Sequence, residues 1–122
     1  MNRIFKVFKC EKCGTVMIQM ETNNEEVCCE HTMVELIPNS VDASFEKHVP
    51  TYERIGDKII AKVNHVMEEE HYIEWIACVT KNDEQIRYFE PYMIAETEFV
   101  YVPGSKLYAY CNKHGLWEKE VE

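Results

Sequence analysis

No stretch of this chain approaches the ~18 consecutive apolar residues that a membrane-spanning helix needs. Positive charge is also scarce. Thirteen Lys and Arg stand against 22 Asp and Glu, a net charge of −9. That balance disfavours nucleic acid and anionic membranes as partners, since both attract basic surfaces. The opening Met1-Asn2-Arg3-Ile4-Phe5-Lys6 lacks the apolar stretch and small-residue cleavage site of a secretory signal. The cytoplasm is therefore the expected compartment. No window keeps a helical period, and there is no internal repeat and no low-complexity tract.

What is present reads as β structure in two parts. Residues 1–37 form a small unit, with strand-like runs at Ile4 to Phe8, Thr15 to Met20 and Met33 to Ile37 and a polar turn at Asn23-Asn24-Glu25-Glu26. A piece below ~40 residues usually needs a metal, disulfides or a partner subunit to hold together. Pro38-Asn39-Ser40 is the expected linker. Residues 38–122 then show short strands at Lys58 to Val63, Tyr72 to Val79, Gln85 to Phe89, Glu96 to Val102 and Lys106 to Cys111. In the second of these, Ile73, Trp75 and Val79 should share one face. Turn signals recur at Gly56-Asp57, Lys81-Asn82-Asp83 and Pro103-Gly104-Ser105. Regular short strands with such punctuation predict an all-β sandwich.

Six cysteines could form three disulfides in a secreted protein, but their spacing reads as metal ligation in a reducing compartment. Cys10-x-x-Cys13 is the tight loop that lets two sulfurs reach one ion, and Gly14 permits the sharp turn after it. Cys28 and Cys29 are adjacent. Neighbouring side chains in a strand point apart, so both reach one ion only from a bent backbone. Four thiolates suit iron or zinc, and spacing alone leaves both open.

A second pattern is mostly imidazole: His48, then His65 and His71 around Glu68-Glu69-Glu70, then Cys111-Asn112-Lys113-His114. The two-residue gap between Cys111 and His114 is short, which favours binding through Nδ1 of His114. Four imidazoles and one thiolate leave one octahedral position open, the mark of a reaction site rather than a closed structural site. The Glu68–Glu70 run reads as a solvated loop, His31 as an exposed turn residue and Cys78 as a buried thiol.

These segments resemble the desulfoferrodoxins, the two-iron superoxide reductases. The likeness runs nearly end to end. Cys10-x-x-Cys13 with Cys28-Cys29 is similar to a desulforedoxin-type centre. Glu46-Lys47-His48-Val49-Pro50, Met67 to Trp75 and Cys111-Asn112-x-His114-Gly115-Leu116-Trp117 are similar to the catalytic segments. The resemblance implies a desulforedoxin-like domain over 1–37 and an immunoglobulin-like catalytic sandwich over 38–122. It implies iron at Cys10, Cys13, Cys28 and Cys29, with zinc a possible substitute. It further implies a second iron with His48, His65, His71 and His114 equatorial and Cys111 axial. Glu46 would take the sixth position in the resting oxidised state, and Lys47 would assist superoxide binding. The implied activity is one-electron reduction of superoxide to hydrogen peroxide by a homodimer, re-reduced by a rubredoxin-like donor. Two departures stand out: Asn64-His65-Val66 lacks the prolines that commonly flank the second histidine, and Lys113 stands where an apolar residue is frequent. From another class, the alternative is a non-catalytic electron-transfer or structural metal-binding protein built on the four cysteines.

Overall fold

The computed structural model describes residues 2–19 and 25–122. The expected turn residues Asn23 and Asn24, and the last residue of the run ending at Met20, lie outside the described residues. The chain divides into two compact units, Ile4–Ile37 and Met1–Arg3 with Pro38–Glu122.

The smaller unit is built from very short strands: β1 (Lys6–Lys9), β2 (Val16–Gln19), β3 (Val27–Cys28), β4 (His31–Thr32) and β5 (Val34–Glu35). β1 lies between β2 and β5, and β3 pairs with β4 as a separate hairpin. Among the described residues of this unit, only Val7, Cys10, Gln19 and Met33 are buried.

The larger unit is an immunoglobulin-like sandwich of seven strands. These are β6 (Thr51–Ile55), β7 (Lys58–Lys62), β8 (Ile73–Val79), β9 (Glu84–Tyr88), β10 (Glu96–Val100), β11 (Lys106–Cys111) and β12 (Gly115–Glu120). One sheet runs β10-β7-β6 and the other β12-β11-β8-β9, all antiparallel. Ile59, Ala61 and Phe99 from the first sheet meet Ile76, Cys78, Leu107 and Ala109 from the second in one core. This is the packing expected when alternate residues of two sheets turn inward. β6 and β12 lie outside the strand-like runs named from the sequence. β6 is an edge strand whose Glu53, Arg54 and Ile55 are exposed, so it carries no apolar alternation.

The face pattern expected for β8 needs correction. Tyr110 pairs with Trp75, but Cys111 pairs with Ile73, so Glu74 is an extra residue in the ladder. Such a bulge reverses the side-chain alternation on either side of it. Ile73 joins Ile76 and Cys78 on the core face opposite Cys111, Ala109 and Leu107. Trp75 lies on the other face, stacked on Tyr110 with centroids 5.8 Å apart. Strict alternation would have set Glu74 against Cys111 in the core; the bulge prevents it.

The segment read as a linker is anchored. Asn39 N–H donates to the Leu116 carbonyl at 3.0 Å. Its side-chain Oδ1 accepts the Glu118 N–H at 2.8 Å, and its Nδ2 donates to the Glu118 carbonyl at 3.3 Å. An amide side chain offers both donor and acceptor, so Asn39 acts as a short strand partner along the β12 edge.

Candidate metal centres

In the smaller unit, the β1–β2 connection forms a knuckle. Cys10 N–H donates to the Thr15 carbonyl and Gly14 N–H to the Cys10 carbonyl, both at 2.8 Å. Gly14 takes φ +81, which an L side chain rarely adopts. The opposite pair sits on the β3–β4 hairpin. Cys28 faces His31, leaving Cys29 and Glu30 as a two-residue loop with φ 53 and 64. Positive φ at both loop positions is the type I′ turn usually given to Asn-Gly. Here a cysteine and a glutamate take the left-handed conformation, at a cost of about 1–2 kcal/mol each. That is the bent backbone that turns two adjacent sulfurs toward one point.

The four Sγ atoms of Cys10, Cys13, Cys28 and Cys29 lie within 4.8 Å of one another. Cys13 Sγ is 3.6 Å from Cys28 Sγ, and Cys28 Sγ is 3.9 Å from Cys29 Sγ. All six cysteines of the chain are free thiols. The Thr15 hydroxyl, 3.0 Å from Cys13 Sγ, helps to draw the Cys13 thiol down to about 6. Cys28 is pushed up to about 12, first by its contact with Cys13. So among these crowded sulfurs one is favoured as thiolate at the expense of its neighbour. A bound cation removes the conflict by deprotonating all of them.

The larger unit brings the other five expected ligands together. Donor atoms of His48, His65, His71, His114 and Cys111 all lie within 4.8 Å of one another. They come from four places: the end of a 3₁₀ turn (Phe45–Lys47), the loop after β7, the approach to β8, and the β11–β12 connection. The imidazoles close a ring. Centroids are 4.8 Å apart for His48–His65, 4.6 Å for His65–His71, 5.0 Å for His71–His114 and 4.8 Å for His48–His114. His48 Nε2 is 3.0 Å and His71 Nε2 3.3 Å from His114 Nδ1. Cys111 Sγ lies 3.5 Å from His65 Nε2 and 3.8 Å from His114 Nδ1. Ligand bonds of about 2.1 Å at right angles set neighbouring nitrogens about 3.0 Å apart, so the cluster fits one metal ion.

Second partners fix the ring tautomers. His48 Nδ1 is 2.6 Å from the Ser44 carbonyl, and His65 Nδ1 is 2.5 Å from the Val66 carbonyl. A carbonyl only accepts, so each Nδ1 carries the proton and each Nε2 turns a lone pair inward. Burial is the first cause that holds His48, His65 and His71 below the ordinary histidine range, and the other imidazoles add to it. That favours the neutral form a metal requires. Burial pushes the Cys111 thiol up, while the Lys113 and His114 backbone N–H groups and the Lys113 charge pull it back.

The two departures noted in the sequence find local accounts. Lys113 is exposed, and its charge favours both thiolate Cys111 and neutral His71. In place of flanking prolines, the His65 loop is tied by backbone bonds from Val63 to Ala95 at 2.9 Å and from Tyr92 to Met67 at 2.6 Å. Glu46 and Lys47, both exposed, lie in the 3₁₀ turn and not in an extended segment. Consecutive side chains there diverge by about 120° rather than pointing oppositely. The Glu68–Glu70 run is exposed, as is His31, which lies in β4, while Cys78 is buried in β8.

Sequence reasoning did not give Trp117 a role. It is fully buried, stacks on His48 at 5.0 Å and donates its Nε1–H to the His114 carbonyl at 3.0 Å. Its place three residues after His114 was the available signal.

A sandwich with a four-imidazole, one-thiol donor ring, accompanied by a four-thiol knuckle, defines a small metalloprotein with two donor sets of different softness. The sequence profile described as Desulfoferrodoxin matches residues 40–120. The chain is 40% identical to the desulfoferrodoxin of Syntrophotalea carbinolica, over 94% of this chain and 95% of that one. It is 34% identical to the superoxide reductase of Pyrococcus horikoshii, over 68% of this chain and 92% of the relative. The crystal structure of the superoxide reductase from Treponema pallidum superposes with a TM-score of 0.75 at 25% identity, covering 97% of this chain and all of that one. The chain belongs to the desulfoferrodoxin family.

Proposed function

We propose that this chain is a superoxide reductase, with an iron held by His48, His65, His71, His114 and Cys111 as the reacting centre. The observation that carries the reading is the closed ring of four imidazoles with a buried thiol beside it. An ion held by five donors would keep room for a small anion. The superoxide reductases among the relatives support the activity. When bound, the iron supplies the single electron that, with two protons, converts superoxide to hydrogen peroxide.

The chain's own groups prepare that event. Burial disfavours the Cys111 thiolate, and the Lys113 and His114 N–H groups offset part of that penalty. The ammonium of Lys47, one residue before His48 and exposed, attracts an anion to an otherwise acidic protein. Screening beyond ~8–10 Å hides the diffuse negative charge, so a local cation decides the encounter. Glu46, beside it on the same turn, would offer a carboxylate to the ion when no substrate is bound.

Cys10, Cys13, Cys28 and Cys29 hold a second iron, and the all-sulfur set would also take zinc. In this reading the smaller unit, Ile4–Ile37, is the desulforedoxin-like domain and the larger one the catalytic domain. The protein works as a cytoplasmic homodimer, and a small rubredoxin-like carrier restores the reduced state. Metal analysis, optical spectra before and after oxidation, and sedimentation check these points.

The deciding experiment delivers superoxide to the pre-reduced protein by pulse radiolysis. One peroxide per oxidised histidine–cysteine iron, without dioxygen, is the expected result. Dioxygen release would make the protein a dismutase. Failure to consume superoxide with both irons reduced would leave an electron-transfer or structural metal protein. A crystal structure with Cys111 Sγ beyond ~3 Å of the metal, against the usual ~2.3 Å, would remove its role as a ligand.

A further inference from the structure

β8 and β11 stay paired until Cys111 faces Ile73. Just past that point both chains carry proposed ligands: His71 precedes β8 and His114 follows β11. The next pair across is Tyr72 and Asn112. Asn112 donates its backbone N–H to the Tyr72 carbonyl at 3.3 Å, as a ladder partner would. The return bond is different. Tyr72 N–H donates to the side-chain Oδ1 of Asn112 at 3.1 Å, and Asn112 Nδ2 donates to the Glu70 carbonyl at 2.9 Å. One side chain therefore engages the residues on both sides of His71.

Backbone bonds of His71 itself are local. It exchanges bonds of 3.0 and 3.2 Å with Glu68 across the exposed Glu69-Glu70 turn. That closes a small loop without tying it to the Cys111–His114 turn. A side-chain amide mimics a peptide group, offering one acceptor and one donor direction at once. It completes the strand bond while the main chain of residue 112 turns away. The turn is what brings His114 Nδ1 to 3.3 Å from His71 Nε2.

We propose that Asn112 is a positioning residue that locks His71 to the Cys111–His114 turn and so sets the ring of imidazoles. The inference rests on the reading of His71 as a metal ligand. Alanine at 112 removes both bonds. Aspartate keeps the acceptor for Tyr72 but sets a carboxylate against the Glu70 carbonyl.

The test uses the iron-loaded full chain and three variants: Asn112→Ala, Asn112→Asp and His71→Ala. Three quantities are read: iron loss from the histidine–cysteine centre to a chelator, the optical spectrum of that centre when oxidised, and hydrogen exchange at the Tyr72 amide. His71→Ala should shift the spectrum and release iron quickly. Asn112→Ala should release iron about 10–100-fold faster than the native protein, as loss of an outer partner of a ligand typically does. Its spectrum should move in the same direction as that of His71→Ala, by less, and its Tyr72 amide should exchange faster. Asn112→Asp should keep Tyr72 protected and release iron at an intermediate rate. Native iron retention and spectrum in Asn112→Ala, with His71→Ala disturbed, would overturn the clamp. A native spectrum in His71→Ala would overturn the ligand reading itself, and this inference with it. Should Asn112→Ala not fold, native iron retention in Asn112→Asp would be the overturning result.

Discussion

Cys111 is fully buried at the end of β11, opposite Ile73 and joined to the core that both sheets share. Cys13 and Cys29 are exposed, each on a turn of a unit in which β1 and β2 span four described residues each. The two donor sets are thus held by different means. In the larger unit, packing places the ligands: each fully buried side chain such as Ile76, Leu107 or Trp117 contributes roughly 1.5–3 kcal/mol. In the smaller unit the four buried residues among those described cannot offset the ordering of the chain and the left-handed turn at Cys29 and Glu30. On the proposed reading a metal bound there would be part of the fold, whereas in the sandwich it would enter a site already built.

The largest effect should follow from metal removal. Stripping both irons with a strong chelator should abolish amide protection across β1 and β2 while β7, β8 and β11 keep theirs, because binding energy of a structural metal is folding energy. Hydrogen exchange with mass detection reads this, and equal loss in both units would break the comparison. Cys13→Ser should reach the same end selectively and leave superoxide reduction by pre-reduced protein intact. Loss of that rate with the second iron in place would show that the first centre takes part in the chemistry.

Next in size is Cys111→Ser. Loss of a ligand exceeds loss of a ligand's outer partner, so superoxide reduction should fall by more than about 100-fold. The sandwich should stay folded at a cost of about 1–3 kcal/mol for an imperfectly paired buried hydroxyl. Urea unfolding and single-turnover kinetics on one sample separate the two. Global unfolding would mean that the site depends on its metal as the knuckle does.

A smaller effect concerns pH. His48, His65 and His71 are held below the ordinary histidine value, first by burial. Between the folded and the unfolded values the unfolded chain binds more protons. Metal-free sandwich stability should therefore be complete above about 6.5 and fall as pH drops through the depressed values. Urea midpoints of the metal-free protein from about pH 7.5 to about pH 5 test the sign. A midpoint that rises on acidification would contradict it.

The smallest effect separates two neighbours on one turn. Lys47→Ala should slow the encounter with superoxide roughly threefold to tenfold and flatten its salt dependence. Glu46→Ala should leave the encounter unchanged and alter the spectrum of the oxidised centre. Pulse radiolysis across ionic strength measures both, and equal slowing by the two variants would end the proposed division of labour.

Read alone, the sequence determined the all-β class, the two donor sets and several turns. Donor chemistry is local: Cys10-x-x-Cys13 before Gly14 and the Cys111-x-x-His114 spacing are written in a few residues, because sulfur and imidazole are scarce and specific. What only the tertiary structure decided is non-local. β6 escaped notice because an exposed edge strand has no buried face to impose alternation. The bulge at Glu74 depends on the register against β11, which no property of Ile73-Glu74-Trp75 alone announces. The 3₁₀ turn at Phe45–Lys47 likewise has no signature in its own three residues. Asn39 and Asn112 read as linker and motif residues until their partners, 79 and 40 residues away, were in place. Four imidazoles from four segments close into a ring only when two sheets and their connections are packed, since closure depends on distances that the order of residues does not contain.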